Sequence, residues 1–328
     1  MPGSSQTKIK RIFSSQEEKP VTKKFTNTLF PLVGAAAISG LPADIISYPF
    51  SRVKTIMMTQ GAAKYTTMQL HGTKNAFKFI FRTEGFKGLY RGLSPVVFSA
   101  IPGTTLFFVG IQTTKNKLGD SGLGNALSGL SGQIAGSIVW VPSEVLKEVR
   151  QMTLSKPELQ NMNVPGLTRY ILRTEGIKGM YRGFIPQLFT FGPFNSLGLY
   201  LSSHLQKKMH ENNQSNLLFS FFANYIGFGF SAAITTPIDV IKTRLQVGAG
   251  NPKLFSDHSI ISCTKHIVKQ QGITELFSGM GARMQWLSLR QGIAFTTFGE
   301  AYKALSFVFS EKEENDKNHS LPTRLSRN

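Results

Sequence analysis

Apolar and polar positions alternate along this chain on the scale of whole segments. Stretches rich in Gly, Ala and aromatic residues fall near 29–58, 92–117, 124–153, 185–208, 216–247 and 281–308, with shorter amphipathic stretches near 72–82, 163–173 and 258–270. The six long ones exceed the roughly 20 residues an α-helix needs to cross a bilayer, so tilt or a kink is expected. None is a clean apolar block, because Asp44, Glu144 and Asp239 lie inside three of them. Charges within a span face a bundle interior or a wet cavity, and a proline there is tolerated when neighbours re-satisfy the freed carbonyl. The pattern predicts six tilted, kinked helices around a polar centre.

The segments follow a grammar repeated three times. PFSRVKTIMM from Pro49, PSEVLKEVRQ from Pro142 and PIDVIKTRLQ from Pro237 are copies of one motif. TEGFKGLYRG from Thr83, TEGIKGMYRG from Thr174 and QQGITELFSG from Gln270 are copies of a second, in step with the first. A period of roughly a hundred residues makes each unit one supersecondary module of a larger bundle. The chain divides into a polar arm (1–28), repeats at 29–118, 119–210 and 211–308, and a polar tail (309–328).

Bulk composition changes this picture only through charge. A hydrophobic content of 41% is ordinary, but the formal charge is +19, spread along the chain. That argues for an anionic partner: nucleic acid, an anionic membrane surface or an acidic solute. A nucleic-acid-binding protein would gather its bases on one face of a recognisable module, whereas here they recur at repeat-fixed positions beside membrane-length segments, so no nucleic-acid partner is expected. A soluble helical-repeat scaffold is the remaining rival of another class. The single cysteine, Cys263, excludes an intramolecular disulfide and a Cys-rich zinc site, and six scattered histidines without HExxH predict no metal. No nucleophile and base stand in a recognised order and no GxG or Walker pattern is present, so neither an enzyme nor a cofactor is expected. Both termini read as disordered, the first 28 residues with some presequence flavour (SSQTKIKRIFSS) interrupted by Glu17, Glu18 and Pro20.

Pro-x-acid-x-x-base followed by Glu-Gly-x-x-x-x-aromatic-x-Gly, in three copies over 29–308, resembles the mitochondrial carrier family. The resemblance implies an all-α membrane protein: six tilted transmembrane helices in three pseudosymmetric repeats, with three short helices on the matrix side. It further implies a monomer in the mitochondrial inner membrane, with the lipid bilayer and its cardiolipin as partner, termini on the cytosolic side, and alternating access through one central site.

Carried over by position, the first motif forms a matrix gate in which Glu144 meets Lys242 and Asp239 meets Lys54. Ser51 stands where the third acid belongs, opposite Lys147. Gln151 and Gln246 hold the family's bracing positions, and Met58 fills that place in repeat 1. At the cytosolic ends the implied pairs are Lys115 with Ser203, Glu300 with Gln206, and Lys303 with Gln112, each one charge against one neutral group. Two full ion pairs against none predict a resting state closed on the matrix side.

The family's substrate positions fall on Ser99, on Thr190 and Phe191, and on Trp286 and Leu287, with Gly103, Phe194 and Arg290 one turn toward the cytosol. Phe194 stands where the ADP/ATP carrier has its base-stacking aromatic. Aromatics for stacking and Arg290 for phosphate predict a small anionic solute, a purine nucleotide such as ATP or ADP, in exchange. The alternative is S-adenosylmethionine or another nucleoside-bearing cofactor, since VPSEVLKE resembles that carrier's second repeat, although its Arg-Glu pair is replaced here by Thr190 and Phe191. The acidic EKEEND near the C-terminus also resembles the secretion signals of bacterial effectors, which would place the carrier in a host's mitochondria.

Overall fold

Proline, glycine and small residues set the boundaries of the helices. The computed structural model describes residues 20–60, 70, 72–119, 122–152, 162–211, 216–249 and 259–320. Among these, every regular element is helical: α1 (Pro20–Thr59), α2 (Thr73–Leu89), α3 (Leu93–Leu118), α4 (Gly122–Gln151), α5 (Val164–Met180), α6 (Phe184–Glu211), α7 (Leu217–Ile234), α8 (Thr236–Val247), α9 (Ile260–Gln271) and α10 (Met280–Ser320), with a 3-10 turn at Ile273–Phe277. The chain is an all-α membrane protein of three helix-pair repeats. The six spans are α1, α3, α4, α6, the α7–α8 pair and α10, and α2, α5 and α9 are the three short helices.

The third odd span is two helices, not one. α1 and α4 run through Pro49 and Pro142, but α7 stops at Thr235 and α8 restarts with Pro237 in its first turn. Proline cannot donate to the carbonyl four residues back. At the break the Thr235 amide donates to the Ser231 carbonyl at 3.1 Å, while the Ala232 carbonyl accepts the Thr236 hydroxyl and the Arg283 guanidinium. A glycine of the second motif with positive φ kinks α2 and α5, Gly85 at 68° and Gly176 at 67°, and ends α9, Gly272 at 90°. A side chain there would be strained, so glycine is what lets the chain turn back into the next span.

Neighbouring repeats join where α3 lies on α4, α6 on α7 and α10 on α1. Small residues bring the backbones close: a Cβ on Gly132 would sit 2.6 Å from Ile111, and one on Gly227 2.7 Å from the Ser202 amide. Each short helix packs on the last turns of its own repeat's odd span. Ala76 and Ile80 meet Val53 and Ile56; Leu167 and Ile171 meet Val145 and Val149; Cys263 and Ile267 meet Val240 and Ile241. The molecule is otherwise inside out. Phe98 is 78% exposed while Lys54 and Arg283 are buried, as expected when lipid covers the outside.

Three spans, Leu29–Thr59, Leu93–Leu118 and Leu217–Ile234, are long and apolar enough by themselves to cross a membrane. α4, α6 and α10 bury Ser128, Ser137, Gln187, Ser202, Arg283 and Gln291 inside, which dilutes their hydropathy. The terminal boundaries differ from those expected. α1 begins at Pro20, within the stretch read as a disordered arm, and α10 runs on to Ser320, past 308. Extending an existing helix needs no new nucleus, so polar flanks continue it readily. Residues 1–19 and 321–328 lie outside the described ones.

Candidate functional site

The last turns of α1, α4 and α8 converge at one end of the bundle, and the first motif places a lysine on each. Lys242 Nζ lies 2.7 Å from Glu144 and Lys54 Nζ 3.4 Å from Asp239, while Gln246 donates to the same Glu144 carboxylate at 3.3 Å. The third expected contact does not form. Ser51 is fully buried and its hydroxyl has no partner among the described residues, and Lys147 pairs instead with Glu148 at 3.1 Å. A desolvated ammonium requires a full negative charge, which a hydroxyl does not carry. Glu148 also lies 3.3 Å from Lys54 and accepts from the Thr55 hydroxyl at 2.6 Å.

Three arginines that sequence reasoning missed complete the cluster. Arg283, on α10, donates to Asp239 at 3.0 Å and to the Thr235 hydroxyl at 2.9 Å. Arg52 donates to Glu84 at 2.8 Å and to the Arg150 and Gln151 carbonyls of the next repeat, and Arg244 does the same for Met58 and Gln60 at 2.9 and 3.2 Å. Gln151 accepts from Thr55 at 2.7 Å, whereas Met58, its counterpart in repeat 1, is an apolar member of the Val240–Leu245 cluster. The glycine that closes each second motif fits this seam. A Cβ on Gly92 would meet the Lys147 carbonyl, one on Gly183 the Gln246 side chain, and one on Gly279 the Met58 side chain.

Beside the cluster lies a cavity of about 260 Å³. Ser51, Glu144 and Lys147 line its floor, and Ser99, Phe191, Phe194, Trp286, Leu287 and Arg290 line its wall, together with Asp44. Two of the expected residues, Thr190 and Gly103, lie off this lining, and Phe194 and Arg290 line it already engaged by other partners. Thr190 does not line the cavity: it is buried and its hydroxyl bonds the Pro186 carbonyl at 2.7 Å. Gly103 faces the Trp140 indole, which would lie 2.2 Å from a Cβ there, so it makes room for a side chain rather than a solute. Phe194 is 4% exposed, packed on Phe228 at 5.5 Å with Arg283 over its ring, which leaves little face for stacking. Arg290 is no free phosphate receptor, because Nε and Nη2 both donate to the two oxygens of Asp44.

The charged lining is therefore balanced, Asp44 and Glu144 against Lys147 and Arg290. Trp286 bridges the cavity and the cluster beneath it, with the ammonium groups of Lys147 and Lys54 4.8 and 5.1 Å from its ring centre. Cations over an indole face are attracted by its quadrupole. The ring is thus engaged from the closed end before any solute arrives.

At the opposite end the expected cross-helix pairs are not made. Lys303 bonds Glu300 of its own helix at 2.9 Å, with both side chains mostly in solvent; Gln112 bonds Asn116 at 3.1 Å and Ser203 the Tyr200 carbonyl at 3.0 Å. Gln206 reaches Asn224 of α7 at 3.3 Å rather than Glu300, and Lys115 is half-exposed. The reason is geometric: α3, α6 and α10 pack on their ring neighbours rather than on one another. Gln112, Ser203, Gln206 and Lys303 bond instead within their own helix or to a ring neighbour.

A ring of six spans in three homologous pairs, around a cavity with an ion-pair cluster at one end, defines a membrane solute transporter. The chain belongs to the mitochondrial carrier family, whose model, described as mitochondrial carrier protein, matches residues 26–122, 119–213 and 213–308. It is 31% identical over 314 residues to mitochondrial substrate carrier family protein E of Dictyostelium discoideum, covering 88% of this chain and 98% of the relative. It is 29% identical over 319 residues to S-adenosylmethionine carrier 1, chloroplastic/mitochondrial, of Arabidopsis thaliana, covering 92% and 88%. Over 266 residues it is 28% identical to the mitochondrial S-adenosylmethionine carrier protein of Xenopus laevis, covering 79% and 90%. Membership implies a multi-pass protein of a mitochondrial membrane.

Proposed function

We propose that this protein is an alternating-access carrier of S-adenosylmethionine, or of a closely related nucleoside-bearing cation, across the mitochondrial inner membrane. One observation carries the choice of solute: Asp44 holds Arg290 inside the cavity, so the lining bears no net charge. A nucleoside triphosphate, with roughly four negative charges at neutral pH, would need a surplus of bases that this lining lacks. S-adenosylmethionine carries one carboxylate, an ammonium and a sulfonium, a mixed charge that suits a lining of Asp44, Glu144, Lys147 and Arg290, and an adenine for the faces of Phe191 and Trp286. The named relatives from Arabidopsis and Xenopus favour the same solute over the purine nucleotide expected from the aromatic and basic residues alone.

Lys242–Glu144 and Lys54–Asp239, braced by Gln246 and Gln151, close the matrix end. In the opposite state Gln112, Lys115, Ser203, Gln206, Glu300 and Lys303 meet across the cytosolic end. The test is uptake of radiolabelled S-adenosylmethionine and ATP into liposomes containing the protein. Saturable S-adenosylmethionine uptake, with ATP a poor substrate and a poor competitor, is the expected result; preference for ATP overturns it.

A further inference from the structure

The three repeats put nine residues in register at the closed end, and their charge is distributed unevenly. One layer holds Ser51, Glu144 and Asp239, and the lysines Lys54, Lys147 and Lys242 follow three residues on. A second layer, one turn beyond the first, holds Thr55, Glu148 and Thr243. The acid missing from the first layer of repeat 1 thus has a numerical replacement in the second layer of repeat 2. We propose that Glu148 is the third gate acid, transferred across the seam, and that it closes the repeat 1–repeat 2 junction in the reverse sense from the other two.

The contacts carry this. In the junctions of repeats 2–3 and 3–1, the acid comes from the earlier repeat of the cycle and the base from the later: Glu144 to Lys242, Asp239 to Lys54. Between repeats 1 and 2 the earlier repeat offers only Ser51, buried and unpartnered. Here the later repeat supplies the acid. Glu148, 2% exposed, reaches back to Lys54 at 3.3 Å and Thr55 at 2.6 Å, both in repeat 1, and neutralises Lys147 beside it at 3.1 Å. Lys54 becomes the hub of the gate, held by acids from both other repeats, with Thr243 a further partner at 3.4 Å. Lys147, whose ion pair lies along its own helix, makes no charge pair across a junction and is left facing the cavity and the Trp286 ring.

This inference rests on the closed end being the gate, so its test carries a control for that. Purified protein in liposomes is assayed for maximal uptake rate and half-saturation, and in detergent for thermal unfolding. Glu148→Gln is expected to lower the unfolding midpoint and to cut the maximal rate about tenfold, with half-saturation unchanged, because a buried ammonium loses its counter-charge. Ser51→Asp combined with Glu148→Gln returns an acid to the symmetric position and is expected to recover most of both. Should the buried aspartate not be accommodated, Lys147→Gln with Glu148→Gln, which removes both partners, is expected to recover the midpoint.

The proposal is overturned if Glu148→Gln is silent while the control Asp239→Asn is strongly impaired. It is also overturned if Glu148→Gln alters only half-saturation, which would assign the residue to the solute site. If Asp239→Asn is silent too, the gate itself has been misplaced and this inference falls with it.

Discussion

At the closed end, Lys54, Lys147 and Arg283 share Glu148 and Asp239 with almost no exposure to solvent; at the open end, Glu300 and Lys303 pair along a single helix with 66% and 75% of their side chains exposed. Both ends carry charges at repeat-fixed positions, yet they differ in what those charges are worth. Removing one partner of a buried pair leaves an uncompensated charge in a poorly solvated site, whereas an exposed pair gives up a contact that water replaces. Burial and pairing between repeats, rather than the number of charged residues at each end, are what would favour one closed state.

The largest effect should come from Asp239→Asn. Asp239 is the only acid that touches both Lys54 and Arg283 among the described residues, and Arg283 holds the break in the third odd span through Ala232 and Thr235. Leaving the buried Arg283 without its acid, and Lys54 with Glu148 alone, is expected to cost roughly 3 to 5 kcal/mol, to lower the unfolding midpoint by many degrees and to abolish uptake. A thermal shift within a degree or two of wild type would show that the closed end is no tighter than the open one.

Next comes Asp44→Asn, which acts between the two ends. It frees Arg290 and gives the lining a net positive charge, so half-saturation for S-adenosylmethionine is expected to rise. A charged hydrogen bond contributes roughly 1.5 to 3 kcal/mol when shielded, or about ten- to a hundred-fold in affinity. Competition by ATP should strengthen in the same variant. Unchanged half-saturation with unchanged ATP competition would show that the Asp44–Arg290 pair is a strut between α1 and α10 rather than a receptor.

These residues also mark how far the sequence could be read. Lys242–Glu144 and Lys54–Asp239 were legible because proline and base keep one spacing in all three repeats and the acid keeps it in two. Glu148 was not, because its sister positions are threonines and a search along the motif stops at the missing acid, Ser51. Asp44 and Arg290 were each noticed as charged groups within a span, but they are 246 residues apart and meet only once the ring closes through α1 and α10. The break at Thr235 was announced by Pro237, yet Pro49 and Pro142 sit inside continuous helices; the difference lies in Thr236 and Arg283, which satisfy the Ala232 carbonyl at the break.

A smaller effect is expected from building at the open end what the closed end already has. Gln112→Glu faces Lys303 and Gln206→Lys faces Glu300 in the pairing drawn from the repeats, so together they offer two full ion pairs to the opposite state. Partly exposed pairs contribute about 0.2 to 1 kcal/mol each, enough to shift the balance of states several-fold. A single cysteine at Ser143, in a Cys263→Ala background, should become more reactive toward a maleimide confined to the matrix-equivalent side. Constant reactivity would mean that these four positions do not meet.

The smallest effect is expected from Lys303→Gln, and that smallness sharpens the contrast between the ends. Lys303 lies one helical turn from Glu300, and the pair is worth no more than about 0.5 kcal/mol at such exposure. The unfolding midpoint should stay within about a degree of wild type. Uptake is the more sensitive measurement. If Lys303 also pairs with α3 in the opposite state, the variant should slow the maximal rate modestly while leaving both the midpoint and half-saturation alone, since only the state that is not at rest has lost a contact. A falling midpoint would instead place Lys303 in the resting structure's stability and remove the asymmetry on which the state preference rests.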